Sequence, residues 1–339
     1  MIEAKYYEKL ADKVVKCHIC PNECEIKKDR TGYCQVRTNI EGVLYTTTYN
    51  KVSIVAIDPI EKKPLFHFYP GKDILSLSSL GCNMRCKHCI RYKISQPDRP
   101  GAKRVADTFT AEDMIETAQE NQCDMVAWTY NEPVVWYEYV LDSLKAAKEA
   151  GLKTVIVTNG YINLEPLKEW AKYIDAMSID LKAFSETSYK NLTDVNGLEA
   201  VKKTIKWVHA QPNIHLEIVT NVVTTMNDSE AELKALAKWI KDELGDKVPW
   251  HITSFTPMLD LHRLDPTPLE TIEMAVRVGK EAGLKYVYTG NLIYNEHENT
   301  YCPKCSETLI HRVYPDVLTK NYTDHKCNNC GVKVDIIDV

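Results

Sequence analysis

From Asp73 onward the chain repeats one unit, a short apolar run followed by an amphipathic stretch, with polar residues just past each run. The runs are 73–80, 125–130, 154–157, 176–181, 214–219, 250–255 and 286–288. Between them, Thr110-Ala111-Glu112-Asp113 and Asp228-Ser229-Glu230 carry helix-start chemistry, and helices are expected near 164–172, 199–209 and 268–282. Strands alternating with helices imply parallel crossovers, and this many units curl toward a barrel. The expected architecture is α/β, an incomplete parallel (β/α) barrel of about six units spanning residues 71–295. It stands between two small cysteine-rich metal modules, 1–70 and 296–339. The first opens with a short helical pattern; its segments G-V-L-Y-T-T-T-Y and K-V-S-I-V-A-I read as antiparallel strands.

The chain has 12 cysteines, and they group as four, three and four with Cys123 left over. Cys123 precedes an apolar run and reads as a small buried hydrophobe. The N-terminus, M-I-E-A-K-Y-Y-E-K-L, is too charged for a secretory signal, and no apolar run has membrane-spanning length. A cytoplasmic setting with no membrane partner is expected, and there grouped cysteines mean metal or redox sites more than disulfides. A formal net charge of −5 gives no reason to expect nucleic acid.

The central group is Cys82-x3-Cys86-x2-Cys89, entered through Gly81 at the C-terminal end of the first expected strand. Three thiolates on one short loop can ligate an iron-sulfur cube and leave one iron open to a small molecule. The spacing matches the radical S-adenosylmethionine (SAM) superfamily. In the N-terminal group, Cys17-x2-Cys20-x3-Cys24-x9-Cys34, the spacing allows zinc or an auxiliary iron-sulfur cluster, and the compact last loop favours zinc. In the C-terminal group, Cys302-x2-Cys305 and Cys327-x2-Cys330 form paired knuckles for zinc or a rubredoxin-type iron. This last module carries five Lys/Arg against six Asp/Glu from His297 onward, a balance unlike that of a nucleic-acid ribbon.

Parallel α/β folds place their chemistry past the C-terminal strand ends. There the chain has Asn131 and Glu132, Asn159, Asp180 and Lys182, Asn221, then His251, Thr253 and Ser254, and finally Thr289-Gly290-Asn291. A carboxylate and an ammonium, here Glu132 and Lys182, suit the two ends of an amino-acid headgroup. Asp180 and Asn159 suit ribose hydroxyls or helix caps.

Longer motifs extend the likeness along nearly the whole chain. They are C-x2-C-P-x2-C, D-P-I-E-K-K-P-L-F-H-F-Y-P-G, G-C-N-M-R-C, I-S-Q, T-Y-N-E-P, T-N-G-Y, I-D-L-K-A-F, Y-V-Y-T-G-N and Y-C-P-K-C. By these the chain resembles radical SAM enzymes of the pyruvate formate-lyase-activating type, and more closely the AmmeMemoRadiSam system radical SAM proteins. The resemblance implies an oxidoreductase with a [4Fe-4S] cluster on Cys82, Cys86 and Cys89, which are then the catalytic residues. It implies SAM bound by Asn131, Glu132, Asp180 and Lys182. His88 stands where the superfamily usually has an aromatic residue before the third cysteine, so its imidazole is the candidate for stacking on adenine. Ile90-Arg91-Tyr92 replaces the relatives' Q-N-W. A ferredoxin or flavodoxin-type reductant is implied, as is a glycyl residue of a protein partner as substrate. Memo-like and AMMECR-type proteins are possible associates by family name. Two other readings stay open at this point: radical modification of a small molecule, and a non-catalytic adaptor whose cysteines all hold zinc.

Overall fold

Alternation along the strands sends their side chains to two separate apolar layers. Leu75, Leu77, Val126, Trp128, Ile156, Ile179, Ile218 and Ile252 join the large core shared with the helices. Ile74, Met125, Ala127, Val155 and Ala176 instead face inward, where Ile60, Leu65 and Phe68 pack on them. A sheet whose two faces are both covered must be curved around one filling and wrapped by the other. The computed structural model describes residues 1–102, 106–292 and 295–338.

The main sheet has eight strands: β1 (Ile54–Pro59), β2 (Asp73–Ser78), β3 (Met125–Trp128), β4 (Lys153–Thr158), β5 (Ala176–Asp180), β6 (His215–Val222), β7 (Trp250–Ser254) and β8 (Val287–Gly290). They lie side by side in sequence order, and among the described residues the two edges, β1 and β8, do not pair. All neighbours from β2 to β8 are parallel, whereas β1 runs antiparallel to β2, with Ile54 opposite Ser78. The sheet therefore starts at residue 54, inside the stretch read from sequence as antiparallel strands of the N-terminal module.

Among the described residues, seven helices of more than one turn lie in the crossovers: α1 (Ala111–Glu120), α2 (Tyr137–Glu149), α3 (Leu164–Trp170), α4 (Glu186–Thr193), α5 (Leu198–His209), α6 (Glu230–Leu244) and α7 (Leu269–Glu281). α1 starts on the capping box of Thr110 and Asp113, and α6 on the Ser229 hydroxyl, which accepts from Glu232 N–H. Two local expectations fail. β3 stops at Trp128 because Tyr130 takes φ +67, a left-handed turn that no strand continues through. The opening residues form short strands, Ile2–Glu3 and Tyr7–Lys9, instead of a helix, since left-handed Tyr6, Asp12 and Lys13 break helical geometry.

Both cysteine-rich ends are tied to the barrel through buried charge. Arg37 forks onto Glu138 of α2 at 3.0 and 3.1 Å, with both side chains almost wholly buried. At the other end a three-stranded antiparallel sheet (300–301, 308–313 and 316–320) carries Arg312 into the barrel floor. Its guanidinium reaches the carbonyls of Phe66 and Glu298, the Thr300 hydroxyl and Glu61. Residues 60–68 plug the floor, and the chain terminus clamps them: Ile337 N–H donates to the His67 carbonyl, and Tyr69 N–H donates to the Ile337 carbonyl. No described helix is long and apolar enough to cross a membrane.

Candidate active site

The C-terminal strand ends surround a cavity of about 560 Å³, within the range of ligand pockets. Its wall includes Cys82, Cys86, His88 and Cys89 from the loop after β2, Asn131 and Glu132 after β3, and Asn159 after β4. Asp180 ends β5 and Lys182 follows it, Asn221 comes from β6, and His251 and Thr253 from β7. The ten residues singled out from sequence for the cluster loop and its ligand thus share one space.

The cysteine loop is fixed by its backbone. Arg85 and Lys87 N–H groups donate to the carbonyls of Thr193 and Leu192, which end α4 and would otherwise lack partners. Asparagines make the remaining ties. Asn131 accepts from Ser79 N–H and donates to the Gly81 carbonyl, both at 3.0 Å, so its amide splints the strand-to-loop turn. Asn83 donates to the Tyr161 carbonyl at 2.7 Å and accepts from Asn159 at 2.8 Å. Donors also face the sulfurs: Met84 N–H stands 3.4 Å from Cys82 Sγ, Asn159 Nδ2 stands 3.8 Å from it, and Ser95 Oγ lies 3.1 Å from Cys89 Sγ. Three thiols on one cavity wall, with polar hydrogens aimed at them, fit the three-cysteine side of a cluster whose sulfurs carry negative charge.

Around that loop the charges are arranged in opposed pairs. Glu132 is buried, and its carboxylate accepts from Val134 N–H (3.1 Å), Thr158 Oγ1 (2.7 Å) and Asn159 N–H (2.8 Å). Burial pushes its pKa up to about 7 in spite of these three bonds and the pull of Lys182. Lys182 Nζ sits 2.7 Å from Asp180. Burial works against the ammonium, but Asp180 and Cys86 outweigh it and raise the pKa above the usual lysine value. His88 is buried beside Lys182, and burial first and that cation second push its pKa down to about 3, so the ring is neutral. Its Nδ1 has no hydrogen-bond partner among the described residues.

Below the cavity, Glu217 anchors a polar floor. It accepts from the N–H groups of Phe66 (3.1 Å) and His67 (2.8 Å) and bonds His215 (2.8 Å) and His251 (2.5 Å). Burial alone would favour the neutral acid, yet the two imidazoles hold its pKa well below the ordinary value. Phe66 and His251 meet edge to face with centroids 4.7 Å apart, and both line the cavity. Phe66, Ser95 and Tyr314 were not singled out from sequence as site residues. Each lies outside the strand-end positions where rim residues are sought; Phe66 and Ser95 fall within the D-P-I-E-K-K-P-L-F-H-F-Y-P-G and I-S-Q motifs, but the motifs do not say which of their residues face the cavity.

The remaining metal candidates differ from each other. Cys302, Cys305, Cys327 and Cys330 draw their sulfurs within 4.8 Å of one another, the close tetrahedral grouping of a single-ion site. Cys17, Cys20, Cys24 and Cys34 line a separate small cavity.

An open parallel barrel with a C-x3-C-x2-C loop at its mouth defines the radical SAM class, and the radical SAM superfamily model matches residues 77–240. Residues 77–240 thus carry a radical SAM domain, and the chain is a radical SAM enzyme. It belongs to one family with the uncharacterized protein MJ0808 of Methanocaldococcus jannaschii, to which it is 43% identical over 341 residues, covering 99% of this chain and 100% of that protein. It is also 25% identical over 228 residues to the pyruvate formate-lyase 1-activating enzyme of Escherichia coli K12, covering 61% of this chain and 89% of that one. In fold it is similar to a radical SAM methyltransferase from Sphaerobacter thermophilus, with a TM-score of 0.51 and 16% identity over 66% of this chain and 67% of that one.

Proposed function

We propose that this chain activates a protein partner by abstracting a hydrogen atom from a glycyl residue presented at the barrel mouth. The single observation that carries the reading is the meeting of the cysteine loop, Glu132 and Lys182 on one cavity in a homologue of a pyruvate formate-lyase-activating enzyme. Cys82, Cys86 and Cys89 would hold a [4Fe-4S] cluster, which would supply the reducing electron for SAM cleavage and so the radical chemistry of hydrogen abstraction.

The protein's own residues bind and orient. Glu132 spends three acceptor sites on protein donors and keeps capacity for a ligand ammonium, whose charge returns the near-neutral carboxyl to its ionised form. Lys182, steadied by Asp180, faces the ligand carboxylate. The neutral face of His88 receives adenine, Asn159 and Asp180 take ribose hydroxyls, and Asn221 completes the rim. The working environment is the cytoplasm, with a ferredoxin or flavodoxin-type donor. Memo-like and AMMECR-type proteins are candidate partners, and zinc is the candidate ion for the C-terminal quartet. Of the three parts read from sequence, 1–70, 71–295 and 296–339, the first also lends β1 and residues 60–68 to the barrel.

The test is anaerobic reconstitution followed by dithionite and SAM, with 5'-deoxyadenosine as the readout. Cys86→Ala should lose this product while the C-terminal quartet keeps its zinc. Product formation by that variant would remove the central assignment.

A further inference from the structure

Among the described residues, the carboxylates lining the main cavity are Asp58, Glu132 and Asp180, and all three are engaged. Glu132 bonds three donors, Asp180 holds Lys182 at 2.7 Å, and Asp58 accepts from Lys63 Nζ at 2.6 Å and from the Tyr130 hydroxyl. Two cations on the same wall are left over. Lys62 stands 3.5 Å from Asp58, whose charge Lys63 already meets. Arg91 has no carboxylate partner among the described residues and lies over the Tyr130 ring, 4.9 Å from its centroid. Lys63 approaches the same ring at 5.1 Å. Around Tyr130, therefore, three cations face one carboxylate, and the corner carries a surplus of positive charge. Lys63 registers it: burial first, then the charges of Lys62 and Arg91, lower its pKa to about 8 in spite of Asp58. Tyr130 holds the corner together from a backbone at φ +67, which a bulky residue adopts only where its surroundings over-determine it.

We infer that Lys62 and Arg91 form an oxyanion subsite that receives a carboxylate of the substrate. The inference rests on the proposed function, in which the SAM carboxylate goes to Lys182 and a glycyl segment enters the cavity. It adds that this segment carries an Asp or Glu side chain flanking the glycine. Arg91 offers a planar fork that matches two carboxylate oxygens, and Lys62 offers a compact charge on a flexible stem. An anion seated between them relieves the repulsion among the three cations, which no carboxylate of the cavity wall is free to do.

The test is calorimetric titration of the anaerobically reconstituted protein, with SAM present, by three probes: blocked Asp-Gly-Asp and Asn-Gly-Asn peptides, and succinate. The aspartate peptide should bind on the order of tenfold tighter than the asparagine peptide. Arg91→Gln and Lys62→Gln should each erase most of that preference. Both side chains are exposed, so neither substitution threatens the fold. The double variant Lys62→Glu, Arg91→Glu should reverse the preference and favour a Lys-Gly-Lys peptide. Equal binding of the aspartate and asparagine peptides, or binding of none of the probes, overturns the inference. So does a variant that loses SAM affinity or bound iron while keeping the preference, because its cation then serves the SAM or cluster site. Succinate that binds as tightly as the aspartate peptide and displaces it supports the subsite and assigns its carboxylate to a small acid, against the protein-partner reading. Formation of 5'-deoxyadenosine reports the proposed radical chemistry independently.

Discussion

Glu132 is the residue at which structure and charge most directly constrain ligand binding. Truncation to Ala would strand three buried donors, each costing about 1–3 kcal/mol, and would confuse folding with binding. Glu132→Gln removes the charge and keeps one acceptor oxygen for Val134 N–H and Thr158 Oγ1, while its NH2 is turned against Asn159 N–H. It should lower SAM affinity on the order of tenfold, about 1.4 kcal/mol, as measured by calorimetry on reconstituted protein, with a stability loss of about 1–3 kcal/mol for the one stranded donor. His88 presents the opposite case, a buried ring with an unpaired Nδ1. His88→Phe should stabilise the ligand-free fold by about 1 kcal/mol in denaturant titration and retain SAM binding, whereas His88→Ala should lose affinity. Loss of binding in the Phe variant would mean that Nδ1, not the ring face, meets the ligand.

At the scale of elements, the cluster loop is positioned by four neighbours: α4, the N-terminal module, the turn after β3 and the residues after β4. Gly81 is where these constraints meet, with φ +86 and the Cys34 carbonyl in the path of any side chain. Gly81→Ala should cost about 1–3 kcal/mol and reduce retained iron, while Gly101→Ala, also at positive φ but in open space, should cost about 1 kcal/mol with iron unchanged. Iron analysis and denaturant titration on both variants check this. The T-Y-N-E-P motif shows how much of an element can be read from sequence. Glu132 stands in the cavity wall as the strand rhythm suggests, but Asn131 spends both ends of its amide on Ser79 and Gly81. No one-dimensional pattern reveals that, because the partners lie some fifty residues away.

Over the whole molecule, the C-terminal module and residues 60–68 make one keystone beneath the barrel. Arg312 is fully buried against Glu61 and two carbonyls, and Arg312→Ala should destabilise the protein by about 3–5 kcal/mol in denaturant unfolding. Removing residues 297–339 would uncover this charge network, so truncation cannot serve as a clean test of the module's role. His67 bonds the Asp335 carbonyl and the Tyr288 hydroxyl through its two ring nitrogens, each at 2.6 Å. Burial lowers its pKa from 6.5 to about 4. Because the folded value is depressed, its contribution to stability is complete above pH 6.5 and is lost as pH falls toward 4. His67→Gln should flatten the stability profile across that window, measured by denaturant midpoints at pH 7 and pH 5.

Local chemistry in the chain determined the alternation of strand and helix, the capping of α1 and α6, the three cysteine groups and the polar residues at the strand ends. These are legible because period, cap and ligand spacing act over a few neighbouring residues. Tertiary structure alone decided that β1 belongs to the main sheet, that residues 60–68 fill the barrel floor, and that Phe66, Ser95 and Tyr314 line the cavity. It also decided that the C-terminal quartet draws its sulfurs within 4.8 Å of one another and that the four N-terminal cysteines meet on one small cavity. Each of these depends on contacts between segments far apart in the chain, whose distances follow from packing and burial and not from residue spacing.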